Sequence, residues 1–200
     1  PYQALATLYE NKGQLDQAAR SLEKCRDLLP DVPGTYELAR LYLMQNRASE
    51  AIALWREAQD KFPKEPRFPT DLAVAYLVEK QLTDAEAAAR EAIRRSEEAN
   101  QQQALIANSL LLALVQVAQQ NWDGASQTIR SMPIPADRRD DLLNLVDFTQ
   151  HHPTAAPQAI RHIAMAQLFL NSRRMESAIT EYLQAQELVV DASMAPLSMA

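Results

Sequence analysis

TYELARLYLMQNRASEAIALWREAQDKFP, residues 35–63, is the stretch whose reading decides the fold. Leu38, Ala39, Leu41 and Tyr42 recur at helical spacing and make one apolar stripe on a polar segment. The pattern breaks at Asn46-Arg47, where asparagine tolerates the left-handed backbone that a helix end often needs. It resumes with Ala51, Ile52, Leu54, Trp55 and Ala58, and Pro63 stops it. Two short helices joined by a tight turn follow from this pattern. One such hairpin cannot bury both stripes, so it needs neighbours of the same kind.

The sequence supplies them on both sides. Over about 2–30, Leu5, Ala6 and Tyr9, then Gly13, then Leu15, Ala18, Leu22 and Cys25 repeat the pattern, and Pro30 closes it. Over about 66–97, Leu72, Ala73 and Tyr76 are followed by Leu82, Ala85, Ala89 and Ala92. Ala18 to Ala51 is 33 residues and Ala51 to Ala85 is 34. A coiled coil or four-helix bundle has no reason to repeat small residues at that period. A fourth unit over about 103–132 carries Leu112, Ala113 and Gln116, then Trp122, Ala125, Ile129 and Met132. Ala85 to Ala125 is 40 residues. About one and a half extra helical turns must therefore be housed by longer helices around 95–108. Met132-Pro133-Ile134-Pro135 is a firm break, after which Asp137 can cap a helix near 137–149. Loop follows to 157, then a last hairpin over about 158–190, marked by Met165, Ala166, Phe169, Met175, Ala178, Tyr182 and Ala185 with Arg173 in its turn. An alternative parse pairs 137–149 with 158–171 and leaves 174–190 as a capping helix. Residues 191–200 read as a tail. The chain begins at Pro1 inside the repeat pattern, which reads as a segment of a longer protein.

These spacings resemble the tetratricopeptide repeat, a helix-turn-helix unit of about 34 residues. Leu38, Ala39, Tyr42, Ala51, Trp55, Ala58 and Pro63 fall at its characteristic positions. The resemblance is strong over 2–97 and in the last hairpin, weaker over 103–132 and absent over 133–157. It implies an all-α, right-handed superhelical solenoid of helical hairpins over 1–200, with one extra helix near 137–149. It also implies a non-catalytic protein–protein interaction scaffold, whose first helices line a groove for a partner peptide or helix. Carried over position by position, that groove presents Gln3, Thr7 and Glu10, then Tyr36, Glu37, Arg40, Leu43 and Met44. It continues with Arg67, Thr70, Asp71, Val74, Leu77 and Val78, and ends with Leu110, Leu111, Leu114 and Val117. The partner-binding residues implied are Tyr36, Arg40, Leu43, Met44, Arg67, Val74, Leu77, Val78, Leu110, Leu111 and Leu114, with Arg40 and Arg67 orienting the ligand at the polar end. An apolar strip of this length needs a cover: a protein partner, a second copy of the chain in a homo-oligomer, or helix 137–149. Some family members grip acidic C-terminal tails through a basic clamp. The matching positions here are Gln3, Thr7, Glu37, Arg67 and Asp71, and two acids with one cation cannot hold a carboxylate pair.

Composition agrees with a helical binding module. Three glycines in 200 residues are too few for a turn-rich β protein, and no stretch alternates at period two. A net charge of −6 opposes a general nucleic-acid surface. No apolar run approaches the roughly 18 residues of a membrane span, so no direct insertion is expected. Cys25 is the single cysteine, which excludes an internal disulfide, and it stands where Ala58 stands in the next unit, as a packed thiol. His151, His152 and His162 lack the ligand spacings of a metal site. There is no glycine-rich phosphate loop and no serine in a nucleophile-elbow context. No catalytic residue, metal or cofactor is assigned, and the chain is not read as an enzyme. Arginine and alanine usage fits a GC-rich bacterial source. Two further expectations stay open beside the scaffold: a regulatory or sensor segment, or a periplasmic envelope-assembly or polysaccharide-export segment, of a larger protein. The compartment, cytoplasmic or periplasmic, is open too.

Overall fold

The computed structural model describes residues 1–28, 32–63, 67–151, 158–160, 162–163, 165–166, 179–181, 183–185 and 187. Among the described residues the regular elements are all α-helices. They run α1 (Tyr2–Asn11), α2 (Leu15–Leu28), α3 (Val32–Met44), α4 (Ala48–Lys61), α5 (Arg67–Val78), α6 (Leu82–Glu98), α7 (Gln102–Ala118), α8 (Trp122–Ser131) and α9 (Ala136–His151). Each helix packs on the one before it and the one after it, so consecutive hairpins stack into a row. Phe169, Arg173, Met175, Ala178 and Tyr182, and the tail, lie outside the described residues.

The surplus between the third and fourth units is taken up by helix length. α6 and α7 are 17 residues each, against 12 for α5 and 10 for α8. The solvent face of α6 is held by ion pairs at helical spacing, Glu86 with Arg90 and Glu91 with Arg94 and Arg95. Hydrogen bonding from Arg94, reinforced by Arg95, pulls the Glu91 carboxyl down to about 2. Arg95 also donates to the Pro63 carbonyl at 3.1 Å, tying α6 to the end of the preceding hairpin. One sequence expectation is corrected. α9 starts at Ala136, with Asp137 inside its first turn and not at its cap. Pro135 takes the cap position, because its carbonyl accepts the first helical hydrogen bond, from Arg139 N–H at 3.1 Å. Asp137 there faces the positive end of the helix.

Five turns share one construction. A residue in the left-handed region follows the helix: Gly13, Asn46, Lys80, Asn100 and Gln120, with φ between 53° and 70°. The next N–H reaches back five residues in each case: Gln14 to the Tyr9 carbonyl, Arg47 to Tyr42, Gln81 to Tyr76, Gln101 to Ser96 and Asn121 to Gln116, at 2.8–2.9 Å. This is the Schellman closure of a helix C-terminus. Asn100 shows that the α6–α7 junction between units uses the same turn that closes the hairpins.

The core runs through the row on small residues. Ala18, Ala51, Ala85 and Ala125 in the second helices are buried, as are Ala6, Ala39, Ala73 and Ala113 in the first. Trp55 is completely buried, its ring 6.3 Å from that of Tyr36. Gln116, standing where the other units have tyrosine, is also buried and accepts a hydrogen bond from Thr128 Oγ1 at 2.7 Å. Cys25 is half-buried, less enclosed than its counterpart Ala58. The outward face of α1 differs from its counterparts. Leu5 and Leu8 are exposed, whereas Leu38, Leu72 and Leu112, and Leu41, Ala75 and Val115, are buried. In the later units the second helix of the preceding hairpin covers that face.

Trp55→Ala should destabilise by about 3–5 kcal/mol in urea denaturation, because it empties a filled volume between helices. Trp55→Phe should cost clearly less: the Trp55 indole N–H has no hydrogen-bond partner among the described residues, so nothing polar is lost. A loss under about 1 kcal/mol for the alanine variant would put the ring outside the core. At the turns, Gln120→Gly should stabilise by about 1 kcal/mol, since a side chain at positive φ is strained and glycine there is not. A fall in midpoint for that variant would contradict the strain argument.

Candidate partner-binding face

The first helices of the hairpins, α1, α3, α5 and α7, are joined by polar contacts that the sequence reading did not find. Arg40 of α3 is completely buried and stands between two carboxylates. Its Nη2 lies 2.8 Å from Glu10 of α1, and its Nε and Nη2 donate to Glu37 at 2.9 and 2.7 Å. Its remaining Nη1 points at the Met44 sulfur, 3.0 Å away. Tyr36 of α3 donates its hydroxyl to Asp71 of α5 at 3.4 Å. The Arg67 guanidinium lies 4.6 Å from the centre of the Tyr36 ring, in cation–π range. Thr70 of α5 donates to Asn108 Oδ1 of α7 at 2.9 Å, while Asn108 Nδ2 donates to Ser96 Oγ and to the Ala92 carbonyl at 2.9 and 3.3 Å. One polar contact thus ties each first helix to the next.

This arrangement changes what the cations can do. Arg40 spends its donors on Glu10, Glu37 and Met44, and Arg67 stacks on Tyr36. Tyr42, also on α3, donates to Glu23 of α2 at 2.7 Å and lies under the Arg47 guanidinium at 4.0 Å. Burial, with the Glu23 bond, pushes the Tyr42 phenol up to about 12. Asn108 had a legible signal: it is a polar residue inside the apolar run ALIANSLLLALV, and such a residue in a buried helix needs a partner.

The sequence-selected residues fall into two groups. Tyr36, Arg40, Leu43, Val74, Leu77 and Leu111 are buried. Met44, Arg67, Val78, Leu110 and Leu114 are half-buried. Met44, Val78, Leu110 and Leu114 pack against the continuous apolar core while keeping part of their surface open. Of the other groove positions, Gln3 and Thr7 are exposed, Glu10 and Glu37 half-buried, and Thr70, Asp71 and Val117 buried. Among the described residues, no three His, Cys, Asp or Glu side chains come together as a metal site would require. His151 is exposed and lies against the carbonyl of Asp147 on its own helix. No described helix is long and apolar enough to cross a membrane.

A family profile described as tetratricopeptide repeat matches residues 4–66 and 36–100. Comparison with curated proteins found no match. Among solved structures, two crystal structures of MamA resemble the chain. One has a TM-score of 0.54 at 14% identity, covering 94% of this chain and 96% of the other. The second has a TM-score of 0.55 at 15% identity, covering 100% and 94%. A tetratricopeptide repeat protein from Parabacteroides merdae ATCC 43184 aligns with a TM-score of 0.48 at 16% identity over 96% of both chains. At these identities the likeness concerns the fold.

Arg40→Met should destabilise the domain by about 3 kcal/mol, because it removes the cation between Glu10 and Glu37. Arg40→Lys should recover little of that, since one ammonium group cannot face both carboxylates and the Met44 sulfur together. Urea denaturation of the three proteins checks both. Full recovery by lysine would reduce the role of Arg40 to a bare charge.

Proposed function

Because the chain belongs to the tetratricopeptide repeat family, we propose that it is a non-catalytic scaffold that holds a partner protein, as a peptide or helix, along the face of its first helices. The observation that carries this reading is the half-open apolar edge of that face. Met44, Val78, Leu110 and Leu114 sit on a row of helices whose backbones are locked by the Glu10–Arg40, Tyr36–Asp71 and Thr70–Asn108 contacts. A rigid row with partly open apolar side chains suits an amphipathic segment that brings its own stripe. Leu43, Val74, Leu77 and Leu111 form the floor of this site, and Tyr36, Arg40 and Arg67 its polar end. The overall charge of −6 supports a protein ligand over a polyanion.

Affinity capture with the full chain, followed by identification of the bound protein, supplies the ligand for the decisive measurement. Val78→Glu with Leu114→Glu should leave helicity and melting intact, because both positions reach water, and should weaken partner binding by at least about tenfold. Affinity should also change by less than about threefold between low and moderate salt, as apolar burial predicts. A folded double variant that binds the partner as well as the parent chain would remove this face from the function.

A further inference from the structure

Leu5, Leu8, Tyr9 and Lys12 lie three and four residues apart and so share one stripe of α1. On the later first helices the same stripe is engaged by the second helix of the preceding hairpin. Leu5 is 37% and Leu8 49% exposed, whereas none of their counterparts on α3, α5 and α7 exceeds 4%. At the place of Tyr9, Tyr42 donates to Glu23 of α2, and the Tyr76 hydroxyl accepts from Arg56 of α4. At the place of Lys12, just before each left-handed turn residue, stand Gln45, Glu79 and Gln119. Gln45 donates to Asp16 of α2 at 2.8 Å, Glu79 accepts from Ser49 of α4 at 2.9 Å, and Gln119 donates to Glu86 of α6 at 2.9 Å. On α1, Tyr9 is half-buried and Lys12 exposed, and neither side chain has a hydrogen-bond or ion-pair partner among the described residues.

The chemistry that fits this stripe follows from its counterparts. Asp16 and Ser49 lie at the starts of α2 and α4 and meet the ends of α3 and α5, so each second helix runs antiparallel to the first helix it covers. The covering helices carry buried alanines: Ala18 and Ala19 in α2, Ala48 and Ala51 in α4, Ala85 and Ala89 in α6. Each also has an acid in its first turn, Asp16, Glu50 and Asp84. With lysine where the other units have glutamine or glutamate, the last level of the α1 stripe selects a carboxylate. A second copy of the chain offers no such helix among its described elements. Its α2, α4, α6 and α8 are each flanked by two helices of their own chain, and its α1 has no acid in the first turn.

We propose that the stripe of Leu5, Leu8, Tyr9 and Lys12 is a second partner surface. It docks one amphipathic helix of another protein, antiparallel to α1, with small residues along the seam and a first-turn carboxylate on Lys12. The contact continues the stacking interface that α2, α4 and α6 make inside the chain. The surface stands apart from the groove, whose α1 positions Gln3, Thr7 and Glu10 lie on the opposite side of that helix. The chain can therefore hold this helix while the groove is occupied.

The test uses the full chain and a fluorescent synthetic peptide of residues 14–28, the α2 sequence with Cys25→Ser. The peptide carries Asp16, Ala18, Ala19 and Glu23, and a side-chain lactam on its solvent face holds it helical, since a helix this short is marginal in water. The parent chain should bind it. Leu5→Glu with Leu8→Glu should keep its helicity, because both side chains already reach water, and should weaken binding at least about tenfold. Lys12→Glu should weaken binding about threefold, and Asp16→Lys in the peptide should restore it to that variant alone. Val78→Glu with Leu114→Glu, in the groove, should leave peptide binding unchanged. The proposal is overturned if the bridged peptide does not bind, if Leu5→Glu with Leu8→Glu leaves binding undiminished, or if the groove variant abolishes it. Sedimentation of the chain without peptide covers another occupant: a parent dimer that Leu5→Glu with Leu8→Glu turns into a monomer assigns the stripe to a second copy, and the proposal falls. Binding seen only when the peptide is fused ahead of Pro1 overturns it as well, since the helix then belongs to the same chain.

Discussion

Everything in this structure depends on how closely two helices can approach. Ala18, Ala51, Ala85 and Ala125 are fully enclosed, each at the same place in its hairpin. A larger side chain at any of them would push two helix axes apart, and interiors at crystal-like density have no slack to absorb that. Close approach at the alanines leaves volume beside them, and Trp55, Tyr36 and the leucines of the stripes fill it. The period of the small residues is therefore the period of the fold. Stability in such a row is a sum of hairpin terms and neighbour terms.

The polar contacts along the first helices have a different task. A buried ion pair adds little net stability, because desolvation consumes most of the attraction. What the Glu10–Arg40–Glu37 cluster, the Tyr36–Asp71 bond and the Thr70–Asn108 bond do add is register. Apolar stripes tolerate sliding; a guanidinium that must meet a carboxylate on the next helix does not. Each contact fixes one first helix against its neighbour, so the face they build has one shape. A binding surface made of separate helices requires such locking if its affinity is not to be spent on ordering it.

Sequence and structure agree where the signal is local. Asn46, read as a turn residue from its backbone tolerance, and Gly13, read as one from its place in the repeat, do adopt positive φ, and the alanines read from spacing are the enclosed ones. The all-α architecture of stacked hairpins was legible for the same reason, since 3.6-residue periodicity and turn chemistry act over a few residues. What was illegible is long-range. Tyr36 meets Asp71 across 35 residues and Thr70 meets Asn108 across 38, and nothing in either local pattern names its partner. The burial of Arg40 is the sharpest case. A charged residue on an outward-facing position reads as a ligand contact, and only the nearness of Glu10 reveals that its donors are engaged within the chain. Lys80 and Gln120 at positive φ were missed because neither residue type advertises a turn; the helices on both sides impose it.

The turns carry one more implication. All five close through the same main-chain hydrogen bond, accepted by the carbonyls of Tyr9, Tyr42, Tyr76, Ser96 and Gln116. The residues at positive φ include glycine, asparagine, lysine and glutamine. A junction that asks so little of its side chains can be copied, spliced or re-paired without rewriting its neighbours. The α6–α7 boundary uses a hairpin closure between units, a joint of the same geometry as those inside the units. Lineages built on such joints can change length by whole helices while the packing rule stays the same.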